Sequence, residues 1–94
     1  MKHHVRLSNT AKRDLARLED FLVEKSPHAA RRASEALRKG VLSLEGFPGR
    51  GAANPETGAR ELPIPFGNSA YMIRYLIQDD TVLILRIFHA REGR

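Results

Sequence analysis

The sequence predicts an α+β domain in the order β-α-α-β-β-β, a helical hairpin packed on one face of a small, mainly antiparallel sheet. Apolar residues recur at helical spacing through the first half of the chain, glycine and proline close that half, and the last third alternates with the period of strands. A length of 94 residues leaves room for one hydrophobic core, so residues 1–94 are read as a single domain.

In residues 2–7, Val5 and Leu7 point to one side and Arg6 to the other, the pattern of a short half-buried strand. Ser8 can accept a hydrogen bond from a free amide in a first helical turn, and Ala11, Leu15, Leu18 and Leu22 then form one apolar stripe. Ser26 followed by Pro27 is a second helix start, because proline at the first position gives up an amide hydrogen that no carbonyl needs. Its apolar side runs through Ala30, Ala33, Leu37, Val41 and Leu44, with Arg31, Arg32, Arg38 and Lys39 mostly on other faces. Gly40 inside that stripe weakens the helix by about 1 kcal/mol relative to alanine, so either a neighbour approaches closely or the helix is locally weak.

Gly46 and Pro48 stop the second helix, and residues 48–59, with three glycines and two prolines, read as an exposed loop. Residues 60–64 alternate as a short strand, which Pro63 and Pro65 confine to an edge. Residues 70–77 and 81–89 form a hairpin around Gln78, Asp79 and Asp80. In its first arm Tyr71, Ile73, Tyr75 and Ile77 oppose Met72, Arg74 and Leu76; in its second, Leu83, Leu85 and Ile87 oppose Val82, Ile84, Arg86 and Phe88. Both faces are largely apolar, and a partly exposed apolar face calls for a partner.

Composition narrows the function. Sixteen Lys and Arg against eleven Asp and Glu give a net charge of +5, a surface that attracts polyanions or acidic proteins. Cysteine is absent, which excludes disulfides, thiolate metal sites and a thiol nucleophile. No apolar run reaches the roughly 20 residues that span a bilayer, and the first residues lack a secretory stretch, so a cytoplasmic protein is expected, with no membrane role. His3 and His4 point to opposite sides of a strand and do not share a metal. Gly49-Arg50-Gly51 lacks the third glycine of a dinucleotide fingerprint and follows a helix, so neither cofactor nor metal is predicted. The pairs Glu19–Asp20 and Asp79–Asp80 read as solvated charge, and the basic residues of the second helix as its solvated side.

The order of elements and several local sequences resemble the ParE/RelE toxin superfamily over nearly the whole chain. The matching segments are Ser8-Asn9-Thr10-Ala11-Lys12-Arg13-Asp14-Leu15, Ser26-Pro27-His28-Ala29-Ala30-Arg31-Arg32 and Leu44-Glu45-Gly46-Phe47-Pro48-Gly49. Gly58-Ala59-Arg60-Glu61-Leu62-Pro63, Tyr71-Met72-Ile73-Arg74-Tyr75 and Ile84-Leu85-Arg86-Ile87-Phe88-His89-Ala90-Arg91 look like the family's three late strands. The resemblance implies the toxin of a type II toxin-antitoxin pair, neutralised by a cognate antitoxin. It implies one of two targets: RelE-like toxins cut messenger RNA on the ribosome, and ParE-like toxins inhibit DNA gyrase.

RelE-like nucleases usually carry an arginine just after the tyrosine of the first hairpin arm, and here that position is Met72. They also place a tyrosine a few residues beyond the arginine matched by Arg91, and no tyrosine follows it here. Cutting RNA through its 2′-hydroxyl needs a proton acceptor and a group that stabilises charge on phosphate, roles open only to His89 with Arg91 and Arg86. Taken without the family, His89 at a strand end reads as an ordinary half-exposed histidine. Tyr71 and Tyr75 read as packing residues rather than stacking platforms. The expectation is therefore a ParE-like gyrase inhibitor with Arg60, Arg74, Arg86, His89 and Arg91 as target contacts; the alternatives are a RelE-like nuclease and a degenerate, non-toxic module that only binds antitoxin. Leu18, Leu22, Leu37 and Val41, with the sheet face opposite the core, are expected to meet the antitoxin, whose acidic amphipathic segment suits a basic, apolar-rich surface.

Overall fold

In the computed structural model, which describes residues 2–92, the chain runs β1 (His4–Leu7), α1 (Asn9–Lys25), α2 (Pro27–Gly46), β2 (Ala52–Ala53), β3 (Arg60–Phe66), β4 (Ser69–Gln78) and β5 (Thr81–His89). Single turns of 3-10 helix at Pro48–Arg50 and Ala90–Glu92 follow α2 and β5. The strands make one sheet in the order β1-β5-β4-β3-β2, antiparallel except for the parallel β1–β5 pair. A parallel pair needs a crossover connection, and part of it is the α1–α2 hairpin. Among the described residues no helix is long and apolar enough to cross a membrane.

Both helix starts are where the serines put them. Ser8 Oγ accepts from the Ala11 amide at 3.0 Å and donates to the Leu85 carbonyl at 3.0 Å, so the cap also ties α1 to β5. Ser26 Oγ accepts from the Ala29 amide at 3.2 Å, with Pro27 opening α2. The apolar stripes of the two helices close on one face of the sheet, where Leu44, Ile73, Tyr75, Val82 and Ile84 have no measurable exposure.

Gly40 is fixed by close approach. It is buried against β3 and β4, and a Cβ built on it would collide with Ile64 Cδ1 and lie 3.5 Å from Ile73 Cδ1. Ile64 is itself buried, so it cannot swing clear into solvent. Gly40→Ala, which in an exposed helix would be stabilising, is expected here to destabilise by about 1–2 kcal/mol, the overpacking penalty outweighing the gain in helix propensity. Urea denaturation reads this as a lowered midpoint with an unchanged slope.

Three local expectations change. The loop after α2 contains β2, a strand of two residues whose alanines pair with Glu61 and Arg60; nothing in so short a segment announces a strand. β3 runs to Phe66, and Pro63 and Pro65 lie beyond the end of β2, where β3 is itself the edge. In β5 the alternation breaks. The ladder pairs Arg74 with Arg86 but Tyr75 with Ile84, so Leu85 is an extra residue, a bulge that resets the faces. Ile87 thereby joins Val82 and Ile84 in the core rather than opposing them.

Candidate functional site

The site lies where β4 begins and β5 ends. Tyr71 and His89 face each other across the ladder, with ring centroids 5.3 Å apart and planes at 86°. Phe66, at the two-residue turn into β4, brings its ring to 5.7 Å from that of Tyr71. Arg17, Leu18, Phe21 and Leu22 from α1 form the facing wall, and together these residues enclose an open groove of about 780 Å³. Its floor is aromatic and aliphatic. Its rim is mostly cationic: Arg17 and Arg91 line it, Arg32 lies 5.6 Å from the centre of the Phe66 ring, and Lys25 lies 5.3 Å from that of Phe21.

What holds the groove in shape is a chain of charges along α1. Asp14, only 5% exposed, accepts from Arg86 Nε at 2.8 Å, from Arg86 Nη2 at 3.1 Å and from the Ile87 amide at 3.0 Å. Burial alone pushes this carboxyl up, but the Arg86 and Ile87 hydrogen bonds and the charges of Arg86 and Arg17 outweigh it and hold it below the ordinary carboxylate range. One turn on, Arg17 reaches the tail with a two-pronged contact, Nη1 and Nη2 to the two carboxylate oxygens of Glu92 at 3.2 Å each. Glu92 Oε1 also accepts from the His89 amide at 3.3 Å, and the Arg91 amide donates to His89 Nδ1 at 3.1 Å.

These contacts limit the chemistry. With Nδ1 accepting from the Arg91 amide, a neutral His89 carries its proton on Nε2, so that nitrogen is a donor and the ring's lone pair is occupied. Burial, and then the negative charge of Glu92, push the Tyr71 hydroxyl up, so it too stays protonated. The groove therefore offers donors, a cation and aromatic surface, and no free proton acceptor on either ring.

The structure divides the predicted contact residues. His89 and Arg91 come together at the groove. Arg86 is spent on Asp14, locking α1 to the bulge. Arg74 sits on Glu61, with Nη2 and Nε at 2.6 and 2.7 Å, and over the Phe88 ring at 5.0 Å. Arg60 pairs with Tyr75, four ladder positions from the Tyr71–His89 pair and so roughly 13 Å along the strand. There its guanidinium binds the Gly49 and Gly51 carbonyls at 3.1 and 2.7 Å. Tyr75 anchors the same loop, its hydroxyl donating to the Pro48 carbonyl at 2.7 Å and accepting from the Gly51 amide at 2.9 Å. A Cβ on Gly51 would sit 2.7 Å from that hydroxyl, so only glycine fits.

The expected antitoxin contacts need a similar correction. Leu37 is sealed in the core at 3% exposure and cannot meet a partner, and Leu18, at 6%, shows only a sliver in the groove wall. Leu22 and Val41 are partly exposed. On the far side of the sheet, Met72, Leu76, Leu83 and Leu85 remain half-exposed as expected. Reading the residues one at a time missed Arg17, Phe21, Phe66 and Glu92. The only available signal was the i, i+3, i+4 spacing of Asp14, Arg17, Leu18 and Phe21 on one helix face.

The family model described as "ParE toxin of type II toxin-antitoxin system, parDE" matches residues 5–93. The chain belongs to this toxin family. The ParE-family chain is 44% identical to Toxin RelE1 of Caulobacter vibrioides, with both chains covered completely. It is 33% identical to Toxin RelE3 of the same organism, covering 96% of this chain and 97% of that one. Among solved structures it resembles the chromosomal ParDE system of P. aeruginosa, with TM-score 0.73 and 22% identity over 94% of this chain and 96% of that one, a likeness of fold. It also resembles the RelBE2 toxin-antitoxin complex of Mycobacterium tuberculosis, with TM-score 0.64 and 29% identity over 95% of this chain and 99% of that one. The helical hairpin on a mixed five-stranded sheet is the fold of these toxins.

Proposed function

We propose that this toxin arrests growth by binding DNA gyrase, as ParE-like toxins do, with His89 and Arg91 at the groove as contact groups rather than catalysts. The observation that carries this reading is the occupied lone pair of His89, whose Nδ1 accepts from the Arg91 amide. RNA cleavage needs a group that takes a proton from the 2′-hydroxyl. Tyr71 stays protonated, Arg86 is bonded to Asp14, and Met72 stands where RelE-like nucleases usually carry arginine. A gripping surface needs none of these. A gyrase target also puts the action in the cytoplasm.

A cognate antitoxin completes the system. The half-exposed apolar side chains on the open sheet face and the exposed edge of Leu22 suit an acidic amphipathic segment, and the net charge of +5 draws one in.

The second reading, ribosome-dependent cleavage of messenger RNA, is favoured by the relatives named RelE1 and RelE3. Supercoiling of relaxed plasmid by purified gyrase separates the two. Inhibition that the antitoxin relieves is the expected outcome. Unimpaired supercoiling at excess toxin, together with cleavage of ribosome-bound message, would replace it with the nuclease reading.

A further inference from the structure

We propose that Arg17 and Glu92 form a clamp that positions His89 and Arg91, so that α1 sets the geometry of the target-contact tail. The inference rests on the reading above that Arg91 touches the target. Glu92 is the last described residue of the chain, in a turn of three residues that α1 meets through Arg17. The Arg17–Glu92 contact joins residues 75 positions apart and uses both carboxylate oxygens. A planar guanidinium meeting a planar carboxylate at two points fixes orientation as well as distance.

From that fixed carboxylate the order passes inward. Glu92 Oε1 takes the His89 amide at 3.3 Å, and His89 Nδ1 takes the Arg91 amide at 3.1 Å, so backbone and ring are set in one direction. Tyr71 stacks edge-on against the ring from the other side. Arg17 is in turn aligned by Asp14, whose Oδ1 lies 3.8 Å away and which is already locked to Arg86. The clamp is partly exposed, with side-chain exposures of 45% for Arg17 and 23% for Glu92, so it contributes little to overall stability and much to local order.

The experiment compares Arg17→Ala, Glu92→Ala and the double variant with the intact protein and with Arg91→Ala, for inhibitory potency in growth arrest and for amide hydrogen exchange at His89 and Arg91. Each single variant is expected to lose roughly tenfold in potency, with the melting temperature and antitoxin co-purification retained. The double variant is expected to be no worse than Glu92→Ala, because both changes open the same contact. Exchange at the two amides should accelerate at least tenfold in Glu92→Ala. Unchanged exchange there would overturn the clamp whatever the target is. So would full potency in both single variants while Arg91→Ala is inactive. Accelerated exchange with a fully potent Arg91→Ala would instead refute the target-contact reading on which the clamp's role depends.

Discussion

Replacing Asp14 with alanine is expected to cause the largest loss of stability of any single polar substitution in this protein, about 2–3 kcal/mol by urea denaturation. The carboxylate is buried at the junction of α1 and β5 and takes three hydrogen bonds, two from Arg86 and one from the Ile87 amide. The end of β1 is what makes it necessary, since β1 pairs with β5 only as far as Ile84 and Asp14 takes the outward Ile87 amide beyond it. Alanine would leave that amide without its acceptor and Arg86 without its partner. The loss stays below that of a fully buried ion pair because the Arg86 side chain is 29% exposed and can recover some hydration.

The same residue fixes the direction of the pH dependence. Its pKa is lowered in the folded state, so the stabilisation it brings is fully present above the unfolded value and is lost as pH falls through the folded one. The intact protein should therefore lose stability on acidification from about pH 5 downward, since an unfolded aspartate titrates near 4. Asp14→Asn, uncharged throughout, should show a flatter curve over that range. Parallel curves for the two proteins would mean that other carboxylates govern the acid transition.

Much of this architecture is legible because it rests on local chemistry. Ser8 and Ser26 with Pro27 mark the helix starts, and the alternation through residues 70–77 marks β4; each rule acts within a few positions. The fate of Gly40 needed one further fact, that Ile64 stands opposite, which lies 24 positions away along the chain. The bulge is less visible still. Val82-Leu83-Ile84-Leu85 is apolar throughout, so nothing in the sequence marks an extra residue, and only the pairing with β4 reveals the reset.

The site was the least legible part for the same reason. Counting cations selected Arg60, Arg74 and Arg86, but an arginine's role depends on what lies within reach. Here those three reach the loop carbonyls, Glu61 and Asp14. The carboxylates that occupy two of them are distant in sequence from the charges they neutralise.

Arg91 is the cation this reasoning leaves at the groove, and Arg91→Ala is expected to reduce inhibitory potency by about 30-fold or more, the effect of losing an interface hot spot. Arg91 is exposed, and among the described residues its guanidinium has no hydrogen-bond or ion-pair partner, so truncation should not disturb the fold. Its backbone amide keeps the bond to His89 in the variant, so the ring should hold its orientation. The measurement is growth arrest alongside melting temperature and antitoxin co-purification, of which only the first should change. Arg91→Lys refines the test. If the target is gripped through the planar fork, lysine restores little; if the charge alone matters, it restores most of the potency. Full toxicity of Arg91→Ala would remove the tail from the target surface and shift the contact to the half-exposed residues of α1 and the open sheet face.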